Sequence, residues 1–195
     1  LAYFVVWEQI YRLCGAQYWL GQYAVSHWAK GPSPVLRAMS PEMRGMALEK
    51  LMNGDHSLCF ALSEPGAGSD ALMIKTRADR DGSGWRVSGS KIWITNSPYA
   101  EHAVIFAITD PLLAAKRKGG ISAFMVPTTS PGFCVESLIR MWGHEGTDEA
   151  ILKFDNIRVE PHQLMGELHK GFRIAMTGVG LGRIYNCARA VGLGR

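Results

Sequence analysis

Two stretches of this chain carry residue types that can handle a nucleotide-like ligand. The first is FALSEPGAGSD at 60–70, where Gly66, Gly68 and Ala71 satisfy the spacing G-x-G-x-x-G/A. In a dinucleotide-binding βαβ unit such glycines open a crossover helix, and an acid about 20 residues further on meets the ribose. Here the residues after Asp70 run ALMIKTRADRDGSGWRV, and the Asp-Gly pair inside that run predicts a hairpin. Without a crossover helix the spacing does not indicate a Rossmann fold. Glycine has no Cβ, so the main chain at Gly66 and Gly68 can approach a ligand closely, and successive N–H groups in such a turn can hold an anion. Ser69 adds a hydroxyl donor. The competing reading is a plain tight loop in which Asp70 satisfies its own turn.

The second stretch is KIWITN at 91–96. Strand alternation puts Trp93 and Thr95 on one face, two residues apart. An indole beside a hydroxyl suits a planar heteroaromatic ring, although a lone strand Trp more often belongs to a core. The two stretches together, in one β region, are more specific than either alone.

The elements that must position them follow from periodicity. Residues 1 to about 56 read as helical, with Phe4, Trp7, Ile10, Tyr11, Cys14 and Tyr18 at spacings of three and four. GPSP at 31–34 breaks that pattern. Ser40 then reads as an N-cap with Pro41 at the first helical position; Met43, Met46, Ala47, Lys50 and Leu51 stay in phase until Asn53-Gly54. From 57 to 162 the period becomes two, with strands at 103–108, 121–126, 133–138 and 150–159 around the hairpin. Strands without intervening helices predict an antiparallel sandwich or barrel. After Pro161 the helical period returns through Phe172, Met176, Val179, Ile184, Cys187, Ala188 and Val191, although Gly178, Gly180 and Gly182 each cost about 1 kcal/mol against alanine. The expectation is an α+β chain: a helical region over 1–56, a β domain over 57–162 and the start of a helical bundle over 163–195.

Composition narrows the function classes. The chain has 195 residues, 47% apolar and 19% charged, with a net charge of +4. That is the composition of a globular protein, and Lys116-Arg117-Lys118 is too short a basic run to indicate nucleic acid. No apolar run is long enough to span a membrane, and residues 1–7 lack the basic flank of a signal peptide. Cys14, Cys59, Cys134 and Cys187 show neither C-x-x-C spacing nor a disulfide framework, and read as buried thiols of a reducing compartment. No metal site is expected from His27, His56, His102, His144, His162 and His169, whose spacing suits no ligand set. The chain begins with Leu and both ends fall inside apolar periodic patterns, so it is expected to be a piece of a longer protein.

Together, FALSEPGAGSD and GSKIWITN resemble the two flavin segments of the acyl-CoA dehydrogenase family, and the resemblance extends through FDNIRVEPHQLMG and GFRIAMTGVGLGRIYNCARAVGLGR. It implies FAD as cofactor, lined by Phe60, Ala61, Leu62, Ser63, Gly68, Ser69, Trp93, Ile94 and Thr95. The Leu62 main chain and the Ser63 hydroxyl would meet the pyrimidine end of the flavin. Trp93 would pack on the ring system, and the Thr95 hydroxyl would reach N5. Ser69 would lie near the pyrophosphate and the thioester, and Arg183 near the CoA region, its alternative being a solvent-facing helix arginine.

The implied reaction introduces an α,β double bond into an acyl-CoA thioester, with an electron-transfer flavoprotein or similar acceptor as partner. A homodimeric or homotetrameric assembly and a cytoplasmic or mitochondrial-matrix location complete the implication. The base is a Glu expected beyond Arg195, because Gly182 occupies the alternative base position next to Arg183. These residues alone are therefore expected to be inactive and to retain FAD weakly. Glu64 reads as a hydrogen-bonding partner of its own turn, and nothing promotes Glu145 or Glu149. Same-fold flavin oxidases or monooxygenases would share these motifs, and a non-catalytic flavin- or CoA-binding product is the remaining alternative.

Overall fold

The computed structural model describes residues 1–15, 33–143 and 145–195. Tyr18, His27, Gly31, Pro32 and His144 lie outside the described residues. Helix α1 spans Ala2–Cys14. A 3₁₀ turn, Pro34–Ala38, leads to α2, a continuous helical run of Pro41–Met43, a π-wound Arg44–Leu48 and Glu49–Asn53. Ser40 caps α2 as its sequence suggests: its Oγ accepts the Met43 N–H at 3.2 Å and donates to the His162 carbonyl at 2.6 Å. Gly54 ends the helix at φ 81°, in the left-handed region where glycine carries no Cβ penalty.

The strands are β1 Leu58–Ala61, β2 Arg77–Asp81, β3 Gly84–Thr95, β4 His102–Ile108, β5 Ile121–Pro127, β6 Phe133–Ile139, β7 Glu149–Val159 and β8 Leu164–Met165. They form one sheet in the order β6-β7-β3-β2-β4-β5-β8, with β1 also paired to β4. The β2–β3 hairpin is antiparallel, as its Asp-Gly turn requires. The sheet is nevertheless mixed, because β1 runs parallel to β4, with Leu58 opposite His102, and β2 meets β4 in parallel where Arg77 faces Ile108. A period of two marks a strand but not its direction, so alternation alone could not separate the two cases.

β4 after His102, and β5 apart from Ser122, read as apolar runs because both of their faces are covered. Val104, Phe106, Ile121, Ala123 and Met125 join Met43, Ala47 and Leu51 of α2 in one core. Ala103, Ile105, Ala107, Phe124 and Val126 join Val87, Ile94, Leu152, Phe154 and Ile157 in the other. The sheet therefore curls back on itself, which brings the Trp85 ring of β3 to 5.2 Å from the Phe124 ring of β5.

After the short α3, Pro111–Ala115, the chain ends in α4, Gly171–Gly194. Its buried face is Gly171, Ala175, Gly178, Gly182, Tyr185, Ala188 and Gly192, not the larger apolar set at which the periodicity pointed. Of that set Ala188 is buried, while Ile184, Cys187 and Val191 are exposed. The reason is close approach. A Cβ on Gly192 would sit 2.3 Å from the Glu8 carbonyl of α1, and one on Gly171 2.4 Å from the Ala123 nitrogen of β5. Glycines that weaken α4 as an isolated helix are thus what lets it dock. Trp7 of α1 stacks on Tyr185 at 4.5 Å in this contact.

Two of the four cysteines depart from expectation, since Cys134 and Cys187 are exposed. Cys59 is buried, which pushes its thiol up to about 12. No described helix is long and apolar enough to cross a membrane.

Candidate functional site

The segment after β1 folds into a compact turn. The Glu64 N–H donates to the Ala67 carbonyl at 3.1 Å and the Ala67 N–H returns to the Glu64 carbonyl at 2.9 Å, with Pro65 and Gly66 at the tip. Neither Gly66 nor Gly68 has a positive φ, and a Cβ added to either meets nothing within 4 Å. The fold itself therefore does not demand glycine at these positions; the open space lies outside the chain. Asp70 does not satisfy its own turn through its carboxylate, which pairs instead with Arg117 in the exposed loop after α3.

The turn is fastened to β3 by Lys91. Its ammonium donates to Glu64 Oε1 at 2.8 Å, to the Leu62 carbonyl at 3.1 Å and to the Phe106 carbonyl at 2.7 Å, so all three donors are used. Lys91 is fully buried and Glu64 nearly so. Glu64 also accepts from the Lys75 N–H at 2.5 Å, the Thr76 N–H at 3.0 Å and Thr76 Oγ1 at 2.6 Å. Burial would raise its carboxyl, but the Lys91 charge and these hydrogen bonds outweigh it and hold the carboxyl below the usual range. Burial pulls Lys91 down to about 8, with Glu64 opposing. Glu64 is therefore structural, as expected, but it serves far more than its own turn.

One further bond sets the two stretches side by side: the Ile92 N–H donates to the Ser63 carbonyl at 3.0 Å. Immediately after it β3 bulges. Lys91 faces Leu152 and Ile94 faces Ala150, leaving two residues of β3 opposite one of β7. The regular alternation expected across KIWITN is therefore broken. Trp93 sits at the bulge with φ 61° and 52% of its surface exposed, flanked by the buried Ile94. A bulky residue at positive φ is a genuine outlier that costs about 1–3 kcal/mol. The bulge turns an indole out of the protein that a straight strand would place by simple alternation.

The remaining candidates divide by burial. Ala61 and Leu62 turn their side chains into the cores, as does Ile94, so their outward contacts are limited to main chain. The Leu62 main chain is largely committed: its N–H donates to the Phe60 carbonyl at 3.2 Å and its carbonyl accepts from Lys91. Phe60 is half-buried against Phe106, at 4.7 Å between ring centroids. Ser63 is half-buried and Ser69 exposed, and neither hydroxyl bonds another described residue. Arg183 lies exposed on α4, beside the buried Gly182.

Thr95 Oγ1 is held between both oxygens of Glu149, at 2.8 and 2.9 Å. Glu149 is 6% exposed, and burial raises its carboxyl despite the Thr95 hydroxyl. Sequence reasoning missed this pair, and also Asn96. Asn96, at φ 67°, donates through Nδ2 to the Leu58 carbonyl at 3.0 Å and through its N–H to the Asp148 carbonyl at 3.1 Å, tying the end of β3 to β1 and to the start of β7. Its readiness to adopt left-handed geometry was the available signal.

A cleft of about 600 Å³ opens on the other side of the Glu64 turn, lined among others by Pro65, Gly66, Lys75, Ser90, Glu136 and Lys153. It does not include Ser63, Trp93 or Thr95. Outside the cleft, the residue types of the two stretches suit a flat, partly polar ring system: an exposed indole at Trp93, serine hydroxyls at Ser63 and Ser69, the Thr95 hydroxyl and free space over Gly68. Among the histidines, His56 Nδ1 and His102 Nε2 lie 3.0 Å apart, and burial together with the His56 charge lowers His102.

The profile of the family described as Acyl-CoA dehydrogenase, middle domain, matches residues 59–157. The mitochondrial short-chain specific acyl-CoA dehydrogenase of Homo sapiens is 37% identical over 193 residues, which cover 99% of this chain and 45% of that protein. Butyryl-CoA dehydrogenase from Megasphaera elsdenii superimposes with a TM-score of 0.75 at 32% identity, over 81% of this chain and 41% of the other. A glutaryl-CoA dehydrogenase from Mycobacterium smegmatis in complex with FADH2 gives a TM-score of 0.69 at 32% identity, over 81% and 39%. The chain spans less than half the length of each.

Proposed function

Because the chain belongs to the acyl-CoA dehydrogenase family, we propose that it forms the flavin-holding part of an enzyme that oxidises an acyl-CoA thioester between its α and β carbons. The observation that supports this reading is the hydrogen bond from the Ile92 N–H to the Ser63 carbonyl, which joins the two motifs one residue before the outward Trp93. The similarity to a dehydrogenase solved with FADH2 supports FAD as the ligand.

FAD, when bound, supplies the acceptor for the hydride leaving the β carbon. The chain's own residues bind and orient. Trp93 offers the indole face for the ring system, and Ser63 offers a hydroxyl to its polar end. Thr95 supplies a hydroxyl towards the hydride-accepting nitrogen, where a donor stabilises charge on the reduced ring. Ser69 and the open main chain at Gly68 serve the pyrophosphate and the thioester, and Arg183 serves the CoA region. The proposal for Leu62 is narrowed by its geometry, since its carbonyl already accepts from Lys91.

The α-proton needs a base, and none is assigned among these residues. Glu64 accepts four hydrogen bonds and its carboxyl is held low, which makes it a poor proton acceptor. Gly182 offers no side chain. The base is assigned, as the family resemblance implies, to a Glu elsewhere in the protein. An acyl-CoA substrate, an electron-transfer flavoprotein or similar acceptor, and a homo-oligomeric assembly belong to the same proposal. Anaerobic addition of acyl-CoA thioesters of increasing length to the FAD-loaded full-length protein, which carries the base, tests it: bleaching of the flavin absorbance is expected, and failure of every thioester to bleach it would overturn the reading.

A further inference from the structure

Thr95 and Glu149 face each other directly across the β3–β7 pair, and the single hydroxyl oxygen of Thr95 lies within hydrogen-bond reach of both carboxyl oxygens. A hydroxyl has one proton and two lone pairs. If Glu149 is ionised it can only accept, so it takes the Thr95 proton and leaves the hydroxyl facing outward with a lone pair. If Glu149 is a neutral acid it donates to Thr95 Oγ1, and the Thr95 proton is free to point away from the protein. Glu149 thus decides whether Thr95 presents a donor or an acceptor.

The surroundings favour the neutral form. Glu149 is nearly buried, with Ile139 of β6 beside it in register and Ala150 next along β7. Among the described residues, titratable groups next to it in sequence or register include Asp148, hydrogen-bonded to Tyr99, and Arg140, which follows β6. No ion pair within 4.0 Å reaches Glu149 among the described residues. A buried carboxyl without a cation keeps its proton to higher pH than a solvated one.

We propose that Glu149 is a positioning residue: as a neutral acid it donates to Thr95 Oγ1 and so turns the Thr95 proton outward, towards the flavin. The inference rests on the flavin reading above, and adds to it the group that sets the polarity of the Thr95 contact.

Two measurements test it. In the flavin-free protein, infrared difference spectra between wild type and Glu149→Gln should contain a protonated-carboxyl carbonyl band that belongs to wild type and persists to higher pH than the bands of solvated carboxyls. In FAD titrations run from acid to alkaline pH, wild-type affinity should fall about tenfold, the worth of one hydrogen bond, as Glu149, whose carboxyl burial raises, ionises. Glu149→Gln, whose amide donates at every pH, should hold its affinity level across that range. Thr95→Val should weaken FAD at low pH, and adding Glu149→Gln to Thr95→Val should change the pH profile no further. Absence of the carboxyl band, or identical pH profiles for wild type and Glu149→Gln while FAD still binds, would overturn the inference and leave the flavin reading standing. Absence of FAD binding at every pH would overturn the flavin reading and this inference with it.

Discussion

The Lys91 ammonium lies 2.8 Å from Glu64 Oε1, with both side chains out of solvent, and this pair fastens the second motif to the first. Taking two charges out of water costs several kcal/mol each, which Coulomb attraction repays only when the remaining hydrogen-bonding capacity is also filled. Here it is filled, by two carbonyls on Lys91 and three donors from Lys75 and Thr76 on Glu64. The pair therefore fixes where the chain turns after β1, and with it where Ser63 meets Ile92.

Removing one partner strands the other. Lys91→Met should cost about 3–5 kcal/mol of stability, because Glu64 is then buried without its cation. Glu64→Gln in the Lys91→Met background should cost much less than Glu64→Gln alone. Urea unfolding followed by circular dichroism measures both; additive costs would contradict the pairing.

The same pair sets an acid sensitivity. The folded-state carboxyl of Glu64 is held below its unfolded value, so its stabilisation is present above the ordinary carboxylate pKa, about 4.3, and is lost as pH falls through the depressed folded value. The unfolding midpoint should drop over that acid window in wild type and drop less in Glu64→Gln. Equal acid slopes in the two proteins would place the sensitivity on other groups.

Trp93 trades stability for display. Trp93→Gly relieves a positive φ of 61° and gives up an exposed ring, so it should leave stability unchanged or raise it by up to about 1 kcal/mol. The same change should weaken FAD binding about tenfold or more. Calorimetric melting and an FAD titration on one preparation separate the two effects, and a large loss of stability would mean that the bulge needs the indole for folding.

Two glycines of α4 should respond oppositely to alanine. At Gly192 the new methyl meets the Glu8 carbonyl at 2.3 Å, and pushing α1 from α4 should cost about 1–3 kcal/mol. At Gly180 nothing lies within 4 Å, so Gly180→Ala should stabilise by about 0.5–1 kcal/mol. Thermal melts of the two variants check the sign of each.

Much of the frame was legible because it follows from local rules. Ser40-Pro41 starts α2, the Asp-Gly pair turns β2 into β3, and the apolar runs at 103–108 and 121–126 are β4 and β5. What escaped depends on contacts between distant residues. Nothing in KIWITN singles out Lys91, since its three acceptors come from Leu62, Glu64 and Phe106. The docking face of α4 is made of small residues that a hydrophobic pattern ignores. The outward turn of Trp93 follows from a bulge that alternation cannot foresee, and Glu149 matters only because register sets it opposite Thr95. The cofactor reading came from motif resemblance, and composition contributed only exclusions.

The central claim is that FAD is held by the two stretches joined by the Ile92–Ser63 hydrogen bond, with Trp93 against its ring system. Equilibrium titration of the flavin-free protein with FAD, followed by quenching of flavin fluorescence, tests it most directly. The account predicts saturable binding, weakened about tenfold or more by Trp93→Ala and by Thr95→Val and left unchanged by Arg80→Ala, whose guanidinium lies over Trp85 on the hairpin. Binding of equal strength in wild type and Trp93→Ala, or no saturable binding at all, would contradict it.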